Sequence, residues 1–295
     1  MRPTLLTLAA LSTALTATPA QAEVVEIAPS SPWNVDFGAT KCRLARFFGE
    51  GDARHLLFFE QYWPGEYLGM TVAGPSFARY GSRKPTDLRF MATQEPRETE
   101  PFTGTVGEYG EGVIYSTINV AAGITPRNGD NSAEGARTGL PELDKDAARK
   151  VEFVSVRQRG DEVRLMSGPL DEAFGVLDQC ARDLIGDWGL DVEQHRTMTR
   201  RPQWTNKDAV VRRIMSSYPR EALQRGEQGI MRMRVIVSTE GAVEDCAVIK
   251  ATSTERLDSP ACRAMLNARF EPALDAAGQP MRSYFAESIV YQVRQ

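Results

Sequence analysis

The sequence predicts an α+β fold in two parts: a β-rich N-terminal domain closed by a helix, then a small β-β-α-β unit. Three observations predict it. Between Trp33 and about Phe174 the apolar residues fall in short, often alternating runs separated by Gly, Pro and Asp, the pattern of strands and turns. From Asp171 to Trp188 the period changes. Phe174, Leu177, Asp178, Ala181, Leu184 and Ile185 recur at three- and four-residue steps, which places them on one helix face. After Tyr218 come a short helical stretch, two alternating segments, a second helical stretch and a last alternating segment.

The chain has 295 residues, 39 acidic and 35 basic side chains, and a formal net charge of −4. Nucleic-acid binders usually carry a basic excess, so no nucleic-acid partner is expected. A hydrophobic fraction of 42% is too high for a disordered chain and ordinary for a globular one. The length fits about two domains at roughly 150 residues each. Two histidines leave little room for a His-rich centre, and neither a metal nor a cofactor is expected.

Residues 1–22 read as a signal peptide. Arg2 supplies the positive start, a thirteen-residue uncharged run from Leu5 to Ala17 follows, and Pro19 precedes Ala20-Gln21-Ala22. That small-x-small ending suits signal peptidase. The run is shorter than the ~20 apolar residues that span a bilayer. No cysteine lies close behind it, so lipid anchoring is not expected. Cleavage leaves 273 residues with a charge of −5 in the periplasm, with no integral membrane segment. In an oxidising compartment four cysteines read as disulfides, with three possible connectivities.

The next domain is read as residues 23–191. Candidate strands are 42–48, 55–62, 67–72, 88–92, 113–120, 150–158 and 163–166. Turn signals stand at Gly49-Glu-Gly-Asp52 and Arg159-Gly-Asp161. Residues 123–140 are rich in Gly, Asn and Thr and read as a loop, and 141–149 as a short helix with Pro141 in its first turn. The closing helix takes Asp171 as its cap and Gly189 as its stop. Cys180 lies on it. A bridge to Cys42 would tie the last element of this domain to its first long strand. Residues 192–216 read as a solvated linker with a short helix over 208–215; its arginines belong to a polar surface.

The last domain is read as residues 217–295. Pro219 sits where a helix start needs no amide donor. Met231, Met233, Val235 and Val237 alternate with Arg232 and Arg234, the mark of a half-buried strand. Thr239-Glu-Gly241 turns the chain, and a second strand runs over 243–251 with Cys246 near its start. Leu257-Asp258 opens a helix carrying Ala261, Cys262, Met265 and Leu266. The last strand is read at 286–293, with Ile289, Tyr291 and Val293 on one face.

This order resembles the TonB C-terminal domain family. The matching residues are Tyr218-Pro219, the Gly229-initiated strand ending in Val235-x-Val237, Gly241 followed by Val243, and Arg269-Phe270-Glu271-Pro272. Leu257-Asp258 and the Cys246/Cys262 pair resemble a disulfide-containing subset of such domains. The resemblance covers a little over a quarter of the chain. It implies a domain that adds an extended peptide from an outer-membrane transporter, or another periplasmic protein, to its sheet edge. The implied receiving edge is the last strand: Ser283, Phe285, Glu287, Ile289, Tyr291 and Val293, with Tyr218 and Pro219 beside it. It also implies a Cys246–Cys262 bridge between a strand and the helix packed on it. In a domain of about 80 residues such a staple compensates for a small core.

Two features depart from the family's transducers. A cleavable-looking signal stands where they have a membrane helix. Residues 190–217 hold one proline, Pro202, too few for a stiff spacer. A binding module without enzyme activity is therefore expected, with no catalytic residues. One alternative is a membrane-anchored energy transducer with an uncleaved signal. Another is a hydrolase with its site in the N-terminal domain. No phosphate-binding loop, Gly-x-Ser-x-Gly or His-Glu-x-x-His is present, and His55 and His195 read as structural or surface residues. The expected bridges are Cys42–Cys180 and Cys246–Cys262.

Overall fold

The computed structural model describes residues 24–81, 84–121, 123–124, 138–217, 220–252 and 260–291. The segment read as a signal peptide, Tyr218, Pro219, Leu257, Asp258, Val293 and most of the loop read at 123–140 lie outside the described residues. No described helix is long and apolar enough to cross a membrane.

The N-terminal part contains β1 (Val24–Ile27), β2 (Asn34–Phe37), β3 (Cys42–Phe48), β4 (His55–Gln61), β5 (Leu68–Ala73), β6 (Thr86–Arg89), β7 (Arg97–Thr99), β8 (Phe102–Thr105), β9 (Glu111–Asn119) and β10 (Gly123–Ile124). After these come α1 (Lys145–Ala148), β11 (Val154–Gln158), β12 (Asp161–Leu165) and α2 (Asp171–Asp187). Among the described residues they form two sheets. One has the order β1-β12-β11-β6-β7; the other runs β10-β9-β5-β4-β3-β2, with β8 also on β9. Arg159 and Gly160 join β11 to β12, both with positive φ (56° and 106°), as a two-residue hairpin loop requires.

Alternation decides the core. Leu44, Leu57, Phe59, Met70, Val72 and Val113 turn inward from the larger sheet and meet Leu88, Val156 and Val163 of the smaller one. Helix α2 adds Phe174, Leu177, Cys180, Ala181 and Leu184 to the same core. Phe174 packs edge-on against Phe59, with centroids 5.5 Å apart. Cys180 is bonded to Cys42 of β3, Cα to Cα 5.9 Å. Asp171 is not the cap. Leu170 holds that position, while Asp171 sits in the first turn and accepts a hydrogen bond from Arg149.

The C-terminal part contains α3 (Val192–Arg196), β13 (Gln203–Trp204), α4 (Lys207–Ser216), α5 (Arg220–Gln224), β14 (Gly229–Val237), β15 (Val243–Lys250), α6 (Ala261–Met265), β16 (Phe270–Glu271), β17 (Ala273–Leu274), β18 (Pro280–Met281) and β19 (Ser283–Tyr291). Strands β15, β14 and β19 form an antiparallel sheet in that order. Met233, Val235 and Val237 turn toward the helices, where they meet Val210 and Ile214 of α4 and Ala261, Ala264 and Met265 of α6. Cys246 of β15 is bonded to Cys262 of α6.

Three expectations change. Residues 192–216 do not behave as a solvated linker. β13 pairs with β16, Thr199 bonds to Leu274, and Met198, Val210 and Ile214 are buried. Arg196, Arg212 and Arg213 are exposed, whereas Arg200 and Arg201 donate to the Pro272 and Gly139 carbonyls. The last strand starts at Ser283, three residues before the apolar alternation becomes visible. Strand β14 is covered on both faces: Ile230, Arg232 and Ile236 are as buried as Met231 and Val235.

Gly241 explains part of the family-like pattern. It has φ of +78°, and a Cβ there would lie 1.8 Å from the Phe270 carbonyl oxygen. The turn and the Arg269-Phe270-Glu271-Pro272 segment are held backbone to backbone, with Phe270 N–H donating to Gly241 at 2.9 Å. Only glycine permits that approach.

Candidate peptide-receiving edge

Strand β19 is an edge: among the described residues it pairs with β14 and with no other strand. Ser283, Phe285, Glu287, Ile289 and Tyr291 alternate along it and share one face. That face looks into the helix-side core. Phe285 packs against Trp204 and Phe270, with centroids at 5.5 and 5.2 Å. Glu287 accepts from Lys207 of α4 at 2.9 Å. Ile289 joins the small cluster of Ala222, Met231 and Tyr291. These side chains therefore hold the strand in place, and its open side presents backbone.

Ser283 meets His195. The His195 Nδ1–H donates to the Asp191 carbonyl at 2.6 Å, so Nε2 accepts from the Ser283 hydroxyl at 3.0 Å. A nucleophile and a base would be bonded in the same way, but here both are sealed, at 1% and 0% exposure. Burial holds the His195 pKa below its ordinary value against the pull of the Asp191 carbonyl. The neutral ring thus clamps the first residue of β19 to α3. His55 is also structural: it donates to the Ala53 carbonyl and accepts from Ser76 N–H.

The opposite face of the sheet meets the N-terminal part. Tyr284 lies edge-on against Trp188 and stacked on His195. The Arg234 guanidinium stands over the Trp188 ring, 4.5 Å from its centroid. Ile236 packs with Ile185 and Leu190. Arg232 of β14 reaches furthest. It donates to the Ser116 carbonyl of β9 at 2.6 Å and to the Ser288 hydroxyl of β19. Its guanidinium lies 5.1 Å from the Tyr62 centroid.

Tyr62 donates to Glu60 at 2.9 Å, and Glu60 also accepts from Lys41 and Arg43 at 2.6 and 2.7 Å. Burial pushes the Glu60 carboxyl up, but the two cations outweigh it and hold the carboxyl below its ordinary value. Burial lowers the Arg232 pKa, opposed by nearby Tyr62 and Glu60. A charge this deep persists only where acceptors and counter-charge are at hand.

The family described as "Gram-negative bacterial TonB protein C-terminal" matches residues 215–293. This segment is a TonB C-terminal domain. The match begins inside α4 and takes in the whole β15-β14-β19 sheet, whereas β13 and most of α4 precede it. Helix α4, most of which precedes the match, packs on the core of the matched segment. No curated protein matches the chain.

Sequence reasoning missed Arg232, Lys207, Glu60 and Tyr62 as parts of the TonB domain's surroundings. The signal for Glu60 was present: a carboxylate in an otherwise apolar strand, with Lys41 and Arg43 nearby. Arg232 gave none, because an arginine on the alternate face of a strand usually points to water. Among the described residues no group of three or more His, Cys, Asp or Glu is arranged to hold a metal.

Proposed function

We propose that the chain is an exported periplasmic protein whose TonB domain captures an extended peptide by strand addition to β19. The peptide would come from an outer-membrane transporter or another periplasmic protein. The reading divides the chain into a signal at 1–22, a β-rich domain over 23–191, a connecting stretch at 192–216 and the TonB domain over 217–295. Tyr218, Pro219 and Val293 belong to the proposed receiving surface together with β19. The observation that carries it is the edge position of β19, whose side chains are engaged on both faces while one side of its backbone faces no strand among the described residues. Backbone hydrogen bonds would then supply affinity. On this reading the protein binds rather than catalyses.

The anchored-transducer alternative is less well supported. Strand β1 begins at Val24, so an anchor in residues 1–22 would have no spacer between it and the folded sheet. Mass spectrometry of the exported protein separates the two: Glu23 as the N-terminus supports the proposal, and an intact Met1 supports the anchor. Peptide capture is tested with the full mature chain, because the face bearing Arg232 and Ile236 would be stripped in an isolated tail. Titration with a synthetic TonB-box peptide should shift the amide signals of residues 285–290. Unchanged signals at saturating peptide would overturn capture at this edge.

A further inference from the structure

We infer that Arg232 is an intramolecular latch: the N-terminal part is a built-in partner of the TonB sheet, and its seating through Arg232 positions the β19 edge. The inference rests on the proposed role of β19 and adds a means of regulating it. Arg232 lies on the central strand, yet its two terminal nitrogens go to different parts of the molecule. One bonds to Ser288 on the edge strand itself, the other to the Ser116 carbonyl of the first part. The edge and the first part therefore share one guanidinium.

The first part is shaped to receive it. Gly69 of β5 stands where any side chain would intrude: a Cβ there would lie 3.0 Å from an Arg232 terminal nitrogen. Gly69 pairs with Glu60 across the β4–β5 ladder, and Glu60 is the carboxylate that Tyr62 caps. Glycine, carboxylate and aromatic ring thus line one polar socket on the outer face of the larger sheet. Arg232 fills it at 6% exposure. The geometry is specific to a planar fork with several donors; a lysine ammonium lacks the span to serve Ser116 and Ser288 together.

The consequence is coupling. If the latch opens, Ser288 loses its donor and β19 loses a constraint on the side opposite the helices. Peptide capture on the edge should then weaken, and a bound peptide should in turn favour the latched state.

The experiment compares the full mature chain with R232M, R232K and G69A. Hydrogen exchange without peptide is the first readout. R232M should speed exchange at least tenfold in both 112–118 and 283–291, with α2 unchanged. R232K should fall nearer to R232M than to the parent, and G69A should give the same pattern at about threefold. Affinity for the TonB-box peptide is the second readout, expected to weaken about tenfold in R232M. Unchanged exchange in either segment overturns the latch, and unchanged peptide affinity with faster exchange overturns its coupling to the edge. If the parent chain binds no peptide, the capture reading fails while exchange still decides the latch. If R232M does not fold, G69A decides by the same measurement.

Discussion

The two parts of the chain each tie a helix to a strand with one disulfide, but over very different distances. Cys42–Cys180 spans a separation of 138 residues and joins the first long strand to the helix that closes the N-terminal core. Cys246–Cys262 spans 16 and joins neighbours. The first part has an extended core between two sheets and a seventeen-residue helix. The second relies on a five-residue helix, α6, on α4, most of which precedes the matched family segment, and on the first part to cover its outer face. A small β-β-α-β unit whose central strand is buried on both faces cannot cover both by itself. The comparison teaches that the N-terminal part completes the TonB domain as well as standing beside it.

The largest effects should come from the bridges. Chain-entropy arithmetic assigns roughly 5 kcal/mol to the long loop and roughly 3 kcal/mol to the short one. In urea unfolding, C42A/C180A should therefore cost more than C246A/C262A. The reverse order would show that the thin second core depends on its local staple more than loop length predicts.

A second contrast is pH. Asp178 of the first part and His195 of the second are both buried, and burial shifts them with opposite effect on stability. Burial raises the Asp178 carboxyl of α2 from 3.8 to about 6, the Leu143 amide and Lys145 opposing it. Its protonated form suits the fold, so its contribution is present below about pH 4 and lost as pH rises through 6. Burial lowers the His195 pKa below 6.5. Its neutral form suits the fold, so that contribution is full above 6.5 and declines as pH falls. D178N should gain stability at pH 7, by roughly 3 kcal/mol at most, and change little at pH 4. H195Q should cost more at pH 7 than at pH 5. Urea midpoints across pH 4–8 check both; parallel pH profiles for the two variants would erase the contrast.

The smallest effect sharpens the comparison at the level of single caps. Asp144 accepts from Ala147 N–H and Asp191 from Gln194 N–H, at 2.8 and 2.9 Å. D144A and D191A should each cost about 1 kcal/mol. A clearly larger cost for D191A would mean that α3, through His195, transmits its loss to β19.

Much of the fold was legible because period and punctuation are local. The α2 face, the Arg159-Gly160 turn and the order of elements after residue 217 all depend on neighbours within a few positions. Segment 192–216 was misread for a physical reason. Its arginines dominate its composition, but Met198, Val210 and Ile214 are spaced widely enough that only docking makes them a face. The edge residues were legible as a strand and not as a surface. Alternation shows which side chains travel together, whereas the direction they face depends on where the helices and the first part lie.

The sequence by itself determined the two-part organisation, the TonB-like order of its last quarter and the division of four cysteines into two pairs. The first rests on periodicity and turn chemistry, which are encoded in consecutive residues; the TonB-like order and the Cys246–Cys262 pair rest on the resemblance to that family. Only the tertiary structure decided that β14 is buried on both faces, that Arg232 enters a socket of Gly69, Glu60 and Tyr62, and that His195 clamps Ser283. The socket and clamp contacts join residues 88 to 172 positions apart in the sequence. No local pattern marks a partner that distant, because its side chain becomes a neighbour only when both cores have formed.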